Sequence, residues 1–435
     1  MIDIEEEKNR KTRALLVAPP AKKGEDGTPY ELKGLVTTLE MEIADIIVLA
    51  RLEVTPAYGI GTGKASEIAQ KAKEKEADCI IFDFDIDPTK QRNWEKLSGV
   101  PCFDRQEVIL RIFDARARTK EANLQVELAK LQYSLPRLAH SYGDMARQRG
   151  GSYGSKGSGE TQLELDRRQV EIKIDQVKRD LAKVVKERAT QRKQRNRKAE
   201  PSCALVGYTN AGKSSLLNAL TNANVLVENK LFATLDPTTR KLSVKNGKDI
   251  LITDTVGFIS NLPHNLVNAF KSTLEEAIHT DLLLLVIDAS DENALMQYDT
   301  VIKVLNEIGA GENEKLILLN KMDKLSSDDI LFTRLDEKFP NALKISAKNK
   351  DSLSSLIDVI IEKLAGEIRD YIVPMEEQGL ISLVRQSGYI IEEEWREESI
   401  RLKARIGSIG NDAQKASMLL SKYKVESTNK EKEAR

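Results

Sequence analysis

The chain has 435 residues, 40% of them hydrophobic and 31% charged, with a formal net charge of -1. That length sets a prior of two to four domains, the balanced charge excludes a global polycation or polyanion, and no apolar run approaches the roughly 20 residues of a membrane helix. Cys79, Cys102 and Cys203 are scattered in apolar, strand-like settings and His140, His264 and His279 do not cluster, which argues for reduced core cysteines and against a protein metal site of that kind. The start, Met1 to Glu7, is acidic where a signal peptide would be basic and then apolar. A cytoplasmic protein with no membrane insertion is expected.

Residues 1–115 alternate strand-like runs (Ala14-Leu15-Leu16-Val17, Ile46-Ile47-Val48-Leu49, Cys79-Ile80-Ile81-Phe82) with amphipathic stretches, which predicts a small α/β domain with a mostly parallel sheet. Gly59-Ile60-Gly61-Thr62-Gly63-Lys64-Ala65 contains Gly-Lys, but Tyr58 and Ala65 occupy positions where a phosphate loop needs Gly and Ser or Thr, so no second phosphate loop is read there. Residues 116–199 read as a helical hairpin. Leu124, Leu128, Leu131, Leu135 and Leu138 form one seam at alternating spacings of four and three, and Ile174, Val177, Leu181 and Val184 form another. Between them a glycine-rich stretch, Arg149 to Gly159, is read as a flexible loop. The second helix ends basic (Lys178, Arg179, Lys183, Lys186, Arg188, Arg192, Lys193, Arg195, Arg197, Lys198), and its acidic partners thin out after Glu187, which favours an RNA-phosphate contact over a merely solvated face.

Residues 200–366 carry the nucleotide chemistry. Gly207-Tyr208-Thr209-Asn210-Ala211-Gly212-Lys213-Ser214 fits Gly-x4-Gly-Lys-Ser between the apolar strand Cys203–Val206 and a helix opened by Ser215. In such a loop the backbone N–H groups turn inward at a helix N-terminus, Lys213 reaches the β- and γ-phosphates, and the Ser214 hydroxyl meets Mg²⁺. A second strand, Ile250–Thr253, ends at Asp254-Thr255-Val256-Gly257. There Asp254 is expected to hold Mg²⁺ through water, and the Gly257 N–H to approach the γ-phosphate. Lys315–Leu319 leads into Asn320-Lys321-Met322-Asp323, where a buried Asp323 carboxylate would accept from guanine N1–H and the 2-amino group and reject adenine. Asn320 would tie this loop to the phosphate loop, Lys321 would lie over the base, and Ser346-Ala347-Lys348 would bring backbone N–H groups to guanine O6. Bound GTP or GDP is the reading of this ordered series, in a mostly parallel sheet with helices on both faces. The switch threonine is open on spacing alone among Thr234, Thr238 and Thr239. Residues 367–435 read as a small C-terminal α+β module, with Ile400, Leu402, Ala404 and Ile406 alternating against Arg401, Lys403 and Arg405 in a strand with a basic outer face.

The chain resembles the HflX family of ribosome-associated P-loop GTPases, near the Obg group. The resemblance is carried by Asp87 to Asn93, Asp104-Arg105, Arg116 to Thr119, Leu124 to Ala129, Gly159 to Glu164 with Asp166 to Arg168, and above all Leu231-Phe232-Ala233-Thr234-Leu235-Asp236-Pro237-Thr238. One departure is Lys156-Gly157-Ser158-Gly159-Glu160, where the family usually has Arg-Gly-Pro-Gly-Glu. The match to Phe-Ala-Thr-Leu-Asp implies that Thr234 is the switch residue meeting Mg²⁺ and the γ-phosphate, with Phe232, Ala233, Leu235 and Asp236 lining the nucleotide. Lys213, Thr234 and Gly257 are then the catalytic set. Phe258 stands where Ras-like enzymes keep a water-orienting Gln, so slow intrinsic hydrolysis stimulated by a partner is expected. Asn210 occupies the position where some related GTPases hold K⁺. The resemblance further implies a monomer that binds the large (50S) ribosomal subunit through its rRNA and acts in splitting or rescue of stalled or idle ribosomes. The alternatives are an ATP-dependent RNA remodeller using the N-terminal domain, and a non-catalytic GTP-dependent docking protein.

Overall fold

The computed structural model describes residues 10–20, 29–52, 55–148, 156–196, 201–221, 228, 230–244, 249–260, 276–326, 329–407 and 411–425. These fall into two compact units: the first runs through Val185 and takes in Glu228–Leu235, and the second holds the rest of the described chain.

The first unit opens as a parallel α/β layer. Its elements are β1 (Arg13–Ala18), α1 (Tyr30–Thr38), β2 (Glu42–Val48), α2 (Thr62–Glu74), β3 (Cys79–Phe82), α3 (Pro88–Ser98), β4 (Cys102–Asp104) and α4 (Arg105–Arg116). The sheet order is β2-β1-β3-β4, all parallel. β1 and β3 sit in the middle because their continuous apolar runs suit a strand buried on both faces; Leu15, Leu16, Ile80, Ile81 and Phe82 have no exposed surface. Gly61 is the N-cap of α2, so the Gly-Lys sequence noted above begins an amphipathic helix whose Ala65, Ile68 and Ala72 enter the core. Asp87 caps α3 by accepting from the Lys90 N–H at 2.9 Å, with Pro88 behind it at the first helical position.

Two long helices follow, α5 (Lys120–Gln148) and α6 (Lys156–Asn196). Leu128, Ile174 and Val177 are the buried centre of their contact, flanked by Leu124, Leu131, Leu135, Val170 and Leu181. Residues 149–155 of the glycine-rich stretch lie outside the described residues. Lys156-Gly157-Ser158-Gly159 belong to α6 and are helical, not loop as expected. Once a long helix exists, each added residue contributes a hydrogen bond, which offsets the roughly 1 kcal/mol that a helical glycine costs against Ala.

Asp104 fastens α5 to the sheet layer. It is 2% exposed, and it caps α4 by accepting from the Glu107 N–H at 2.9 Å. It also accepts from the Tyr133 hydroxyl at 3.0 Å and from Arg137 Nη2 at 3.0 Å. Arg137 lies over the Tyr133 ring and donates to the Gln91 side chain. Burial pushes the Asp104 carboxyl above its usual range, opposed by the Glu107 N–H and the Arg137 charge.

The second unit holds a six-stranded sheet ordered β10-β9-β8-β5-β7-β6. Its elements are β5 (Ser202–Gly207), α7 (Lys213–Thr221), β6 (Thr238–Leu242), β7 (Ile250–Asp254), β8 (Leu282–Asp288), α8 (Ala294–Ile308), β9 (Lys315–Asn320), α9 (Ile330–Lys338), β10 (Leu343–Lys344) and α10 (Lys350–Ala365). All strand pairs are parallel except β6 with β7. Beyond it, β11 (Ile368–Pro374), α11 (Gly379–Ser387), β12 (Gly388–Trp395), β13 (Ser399–Ile406) and α12 (Asn411–Leu420) form a three-stranded antiparallel sheet, β11-β13-β12, with a core of Tyr371, Val373, Val384, Leu402, Ala404, Ala416 and Leu420. Its outer face is mixed rather than basic. Arg401 lies 3.7 Å from Asp370 and Lys403 lies 3.6 Å from Glu392, because strand pairing sets acids beside each of these cations. Among the described residues no helix is long and apolar enough to cross a membrane.

Asp104→Ala should lower unfolding stability by about 2–3 kcal/mol, since it removes a helix cap and takes one hydrogen bond each from Tyr133 and Arg137 in a half-buried contact. Urea denaturation of the whole chain followed by fluorescence checks this, and a loss below about 0.5 kcal/mol would contradict it.

Candidate nucleotide site

The site sits at the C-terminal ends of β5, β7, β8 and β9, where a parallel sheet leaves its loops free to converge. β5 ends at Gly207, and α7 starts at Lys213. Between them Asn210 has φ +60° and Gly212 φ +95°, so the chain doubles back and the first turn of α7 faces the loop. Gly212 also permits a close approach: a Cβ there would lie 2.3 Å from Asn320 Nδ2.

Asn320, 1% exposed at the end of β9, joins three loops. Its Nδ2 donates to Ala211 O at 2.8 Å, and its Oδ1 accepts from the Ala347 N–H at 3.2 Å. Lys321 has φ +64°, and its ammonium donates to Asn210 O at 2.8 Å and to Asp288 Oδ2 at 2.6 Å. Asp288 is a site residue that the motifs do not include. It was legible on the same grounds as Asp254, an acid closing a fully apolar strand (Leu282 to Ile287).

Asp323 is exposed, which corrects the expectation of a buried carboxylate. The short 3₁₀ turn Met322–Lys324 buries none of its residues, and the carboxylate is held from outside, accepting from the Ser346 hydroxyl at 2.7 Å with Lys348 Nζ 3.6 Å away. The Ser346 hydrogen bond holds the Asp323 carboxyl below its usual range, with the Lys348 charge adding to it.

At the other end of the site Lys213 is buried. Its ammonium donates to Tyr208 O at 2.7 Å and Gly207 O at 3.2 Å. Burial pulls its pKa down to about 8, against the opposing charge of Asp254. Ser214 Oγ donates to Asp254 Oδ2 at 2.6 Å, and Asp254 has no exposed surface. Thr255 Oγ1 donates to Leu205 O at 2.7 Å, fixing the start of the turn. Beyond it the chain pairs with the phosphate loop. Phe258 N–H donates to Gly207 O at 3.1 Å, Thr209 N–H donates to Phe258 O at 2.7 Å, and Ser260 N–H donates to the Tyr208 hydroxyl at 2.6 Å. The Phe258 ring is buried at 2% exposure. Only glycine fits at position 257, where a Cβ would lie 2.8 Å from Thr209 Cα and 2.9 Å from Lys213 Nζ.

The three switch threonines lie in different settings. Thr238 opens β6, and Thr239 shares a hydroxyl contact of 2.9 Å with Thr253 on β7. Phe232, Ala233, Thr234 and Leu235 belong to the first unit, whereas Asp236 and the loops above belong to the second. Within the first unit Phe232, at φ +53° and 2% exposure, meets the Phe113 ring edge-on at 4.7 Å. The Leu231 N–H donates to Thr38 Oγ1 at 3.1 Å, and its side chain lies against Gly34. Glu228 pairs with Arg116, and Lys230 with Glu40 at 3.1 Å.

Three family models match the chain: GTP-binding GTPase N-terminal over residues 28–114, GTP-binding GTPase Middle Region over 116–195, and 50S ribosome-binding GTPase over 202–321. The chain is 42% identical over 420 residues to the GTPase HflX of Akkermansia muciniphila, covering 93% of this chain and 96% of that one. It is 41% identical over 380 residues to the GTPase HflX of Escherichia coli strain K12, covering 86% and 89%. A solved GTP-binding protein from the hyperthermophilic archaeon Sulfolobus solfataricus, in complex with GDP, is 26% identical, with 81% of this chain and 98% of that chain covered and a TM-score of 0.44.

Asn320→Ala removes two buried hydrogen bonds and should weaken GTP and GDP alike by about 2–3 kcal/mol, roughly 30- to 160-fold; titration with a fluorescent guanine nucleotide measures it. Phe232→Ala should release the 230–235 segment, so that its backbone amides exchange with solvent at least about tenfold faster while β5 is unchanged. Equal exchange in both proteins would show that the aromatic contact does not hold the segment.

Proposed function

The chain belongs to the HflX family of GTPases, and from that premise we propose that it works on the large ribosomal subunit, hydrolysing GTP there in the splitting or rescue of idle or stalled ribosomes. It is an α/β multidomain GTPase that converts GTP to GDP and phosphate. The observation that carries the ribosomal part is the match of residues 202–321 to the model described as a 50S ribosome-binding GTPase. The exposed cations Lys178 and Arg179 on α6 support it as a surface suited to RNA phosphates, while the neighbouring Lys183 is paired with Asp180 at 2.9 Å.

In this reading residues 207–215 cradle the phosphates, with the Lys213 ammonium exchanging carbonyl partners for β- and γ-phosphate oxygens. Phosphate oxygens there would oppose the burial that pulls the Lys213 pKa down to about 8. Asp323 takes the guanine N1–H and 2-amino group, Lys321 covers the base, and Ser346, Ala347 and Lys348 close its O6 side. Gly257 N–H approaches the terminal phosphate. Mg²⁺ fits the hard oxygen pair of Ser214 and Asp254, which already lie 2.6 Å apart, with Thr234 as a further ligand and Asp254 acting through water. When bound, Mg²⁺ neutralises charge developing on the phosphates. Asn210 is assigned to K⁺. Phe258 supplies no polar group and its ring is buried, so intrinsic turnover is slow and a partner accelerates it.

Steady-state GTP hydrolysis in potassium buffer, with and without purified large ribosomal subunits, tests the proposal. We expect stimulation of at least about tenfold, abolished by Lys213→Ala and reduced when Na⁺ replaces K⁺. Turnover that stays flat on adding subunits, with GTP binding intact, would overturn the ribosomal part and leave the GTPase assignment standing.

A further inference from the structure

Asp288 closes β8 outside every motif of the site, yet both of its carboxylate oxygens are engaged. Oδ1 accepts from the Ser290 N–H at 3.0 Å and from the Ser290 hydroxyl at 2.6 Å. Oδ2 accepts from the Lys321 ammonium at 2.6 Å, and the two side chains are only 13% and 20% exposed. Strand register puts the acid there. Parallel pairing of β8 with β9 sets Asp288 beside Asn320, and the Ala289 N–H donates to Asn320 O at 2.9 Å.

Lys321 is held at both ends. Its backbone takes φ +64°, a left-handed conformation that favours glycine, and its ammonium is fixed between Asp288 and Asn210 O. Between those points the stem crosses the phosphate loop, where a Cβ on Gly212 would lie 4.0 Å from Lys321 Cε. A lysine stem has four flexible carbons and loses much rotamer freedom when it is ordered. The ion pair fixes the far end of that stem, which is the part a stacked base would otherwise have to immobilise.

We propose that Asp288 is a positioning residue for guanine-nucleotide binding, holding the Lys321 stem over the base and so lengthening the residence of GTP and GDP. This role depends on the reading given above, in which Lys321 covers the base. Asp288 acts through the lysine and not by touching the nucleotide. A carboxylate suits the task because one oxygen is oriented by Ser290 while the other takes a charge-assisted hydrogen bond. An Asn in its place would keep the acceptor for Ser290 but turn an NH₂ donor toward an ammonium that can only donate.

Asp288→Asn, Lys321→Met and the double variant test this through stopped-flow release of fluorescent GDP and of a fluorescent non-hydrolysable GTP analogue. Asp288→Asn should release both at least about fivefold faster than wild type. Lys321→Met should do the same, and the double variant should stay within about twofold of the faster single one, because both substitutions break one pair. Inorganic tripolyphosphate, which fills the phosphate loop and carries no base, should bind Asp288→Asn within about twofold of wild type in calorimetric titration. Release from Asp288→Asn at the wild-type rate, with Lys321→Met fast, would overturn the positioning role and leave the base reading standing. Additive effects in the double variant, or an equal loss of tripolyphosphate affinity, would also overturn it, since the acid would then act through the fold or the phosphate loop. Release from Lys321→Met at the wild-type rate would overturn the reading of Lys321 as the base cover, and the role of Asp288 with it.

Discussion

The phosphate-binding and base-binding loops of the nucleotide site depend on one buried amide. Asn320 reaches from the end of β9 to the carbonyl of Ala211 and to the N–H of Ala347, so the phosphate-binding and base-binding loops share a single anchor. The anchor is possible because Gly212 lacks a side chain where the amide passes. Around it the ion pair of Asp288 with Lys321 adds a second tie to the Asn210 carbonyl. A low-dielectric setting makes such hydrogen bonds strong when complete and costly when broken. The amide thus fixes the register of the phosphate-binding loop against the base-binding loop.

The opposite end of the site is arranged against bare charge. Lys213 is buried, and its ammonium donates to two backbone carbonyls. Desolvation is only partly offset by Asp254. The segment from Phe258 to Ser260 lies along the phosphate loop as a short bridge, which shields this charge and sets the Gly257 backbone beside it. A phosphate entering here relieves an existing electrostatic cost.

Much of this was legible in the sequence because the signals are local. Gly207 to Ser214, Asp254 to Gly257 and Asn320 to Asp323 each close an apolar strand, and strand, turn and helix follow within a few residues. The seam leucines of α5 and α6 were legible for the same reason, since period and burial coincide. What was not legible is set by long-range pairing. The hydrogen bond that holds Asp323 comes from the Ser346 hydroxyl, 23 residues away. The acids beside Arg401 and Lys403 come from strand register, which alternation in one strand does not reveal. Asp104 stood out in the sequence only as part of the family resemblance; its cap on α4 shows only in the fold, and its hold on Tyr133 and Arg137 depends on how α5 returns across the layer.

The aromatic contact of Phe232 with Phe113 has a thermodynamic consequence. The chain passes from the first unit at Leu235 to the second at Asp236, with no linker between the residues that grip Phe113 and those that lead into β6. Phe232 itself holds φ +53°, a left-handed conformation that costs a bulky residue on the order of 1 kcal/mol or more. Burial of its ring against Phe113 therefore offsets a backbone strain, and the segment keeps its shape only while that ring stays buried.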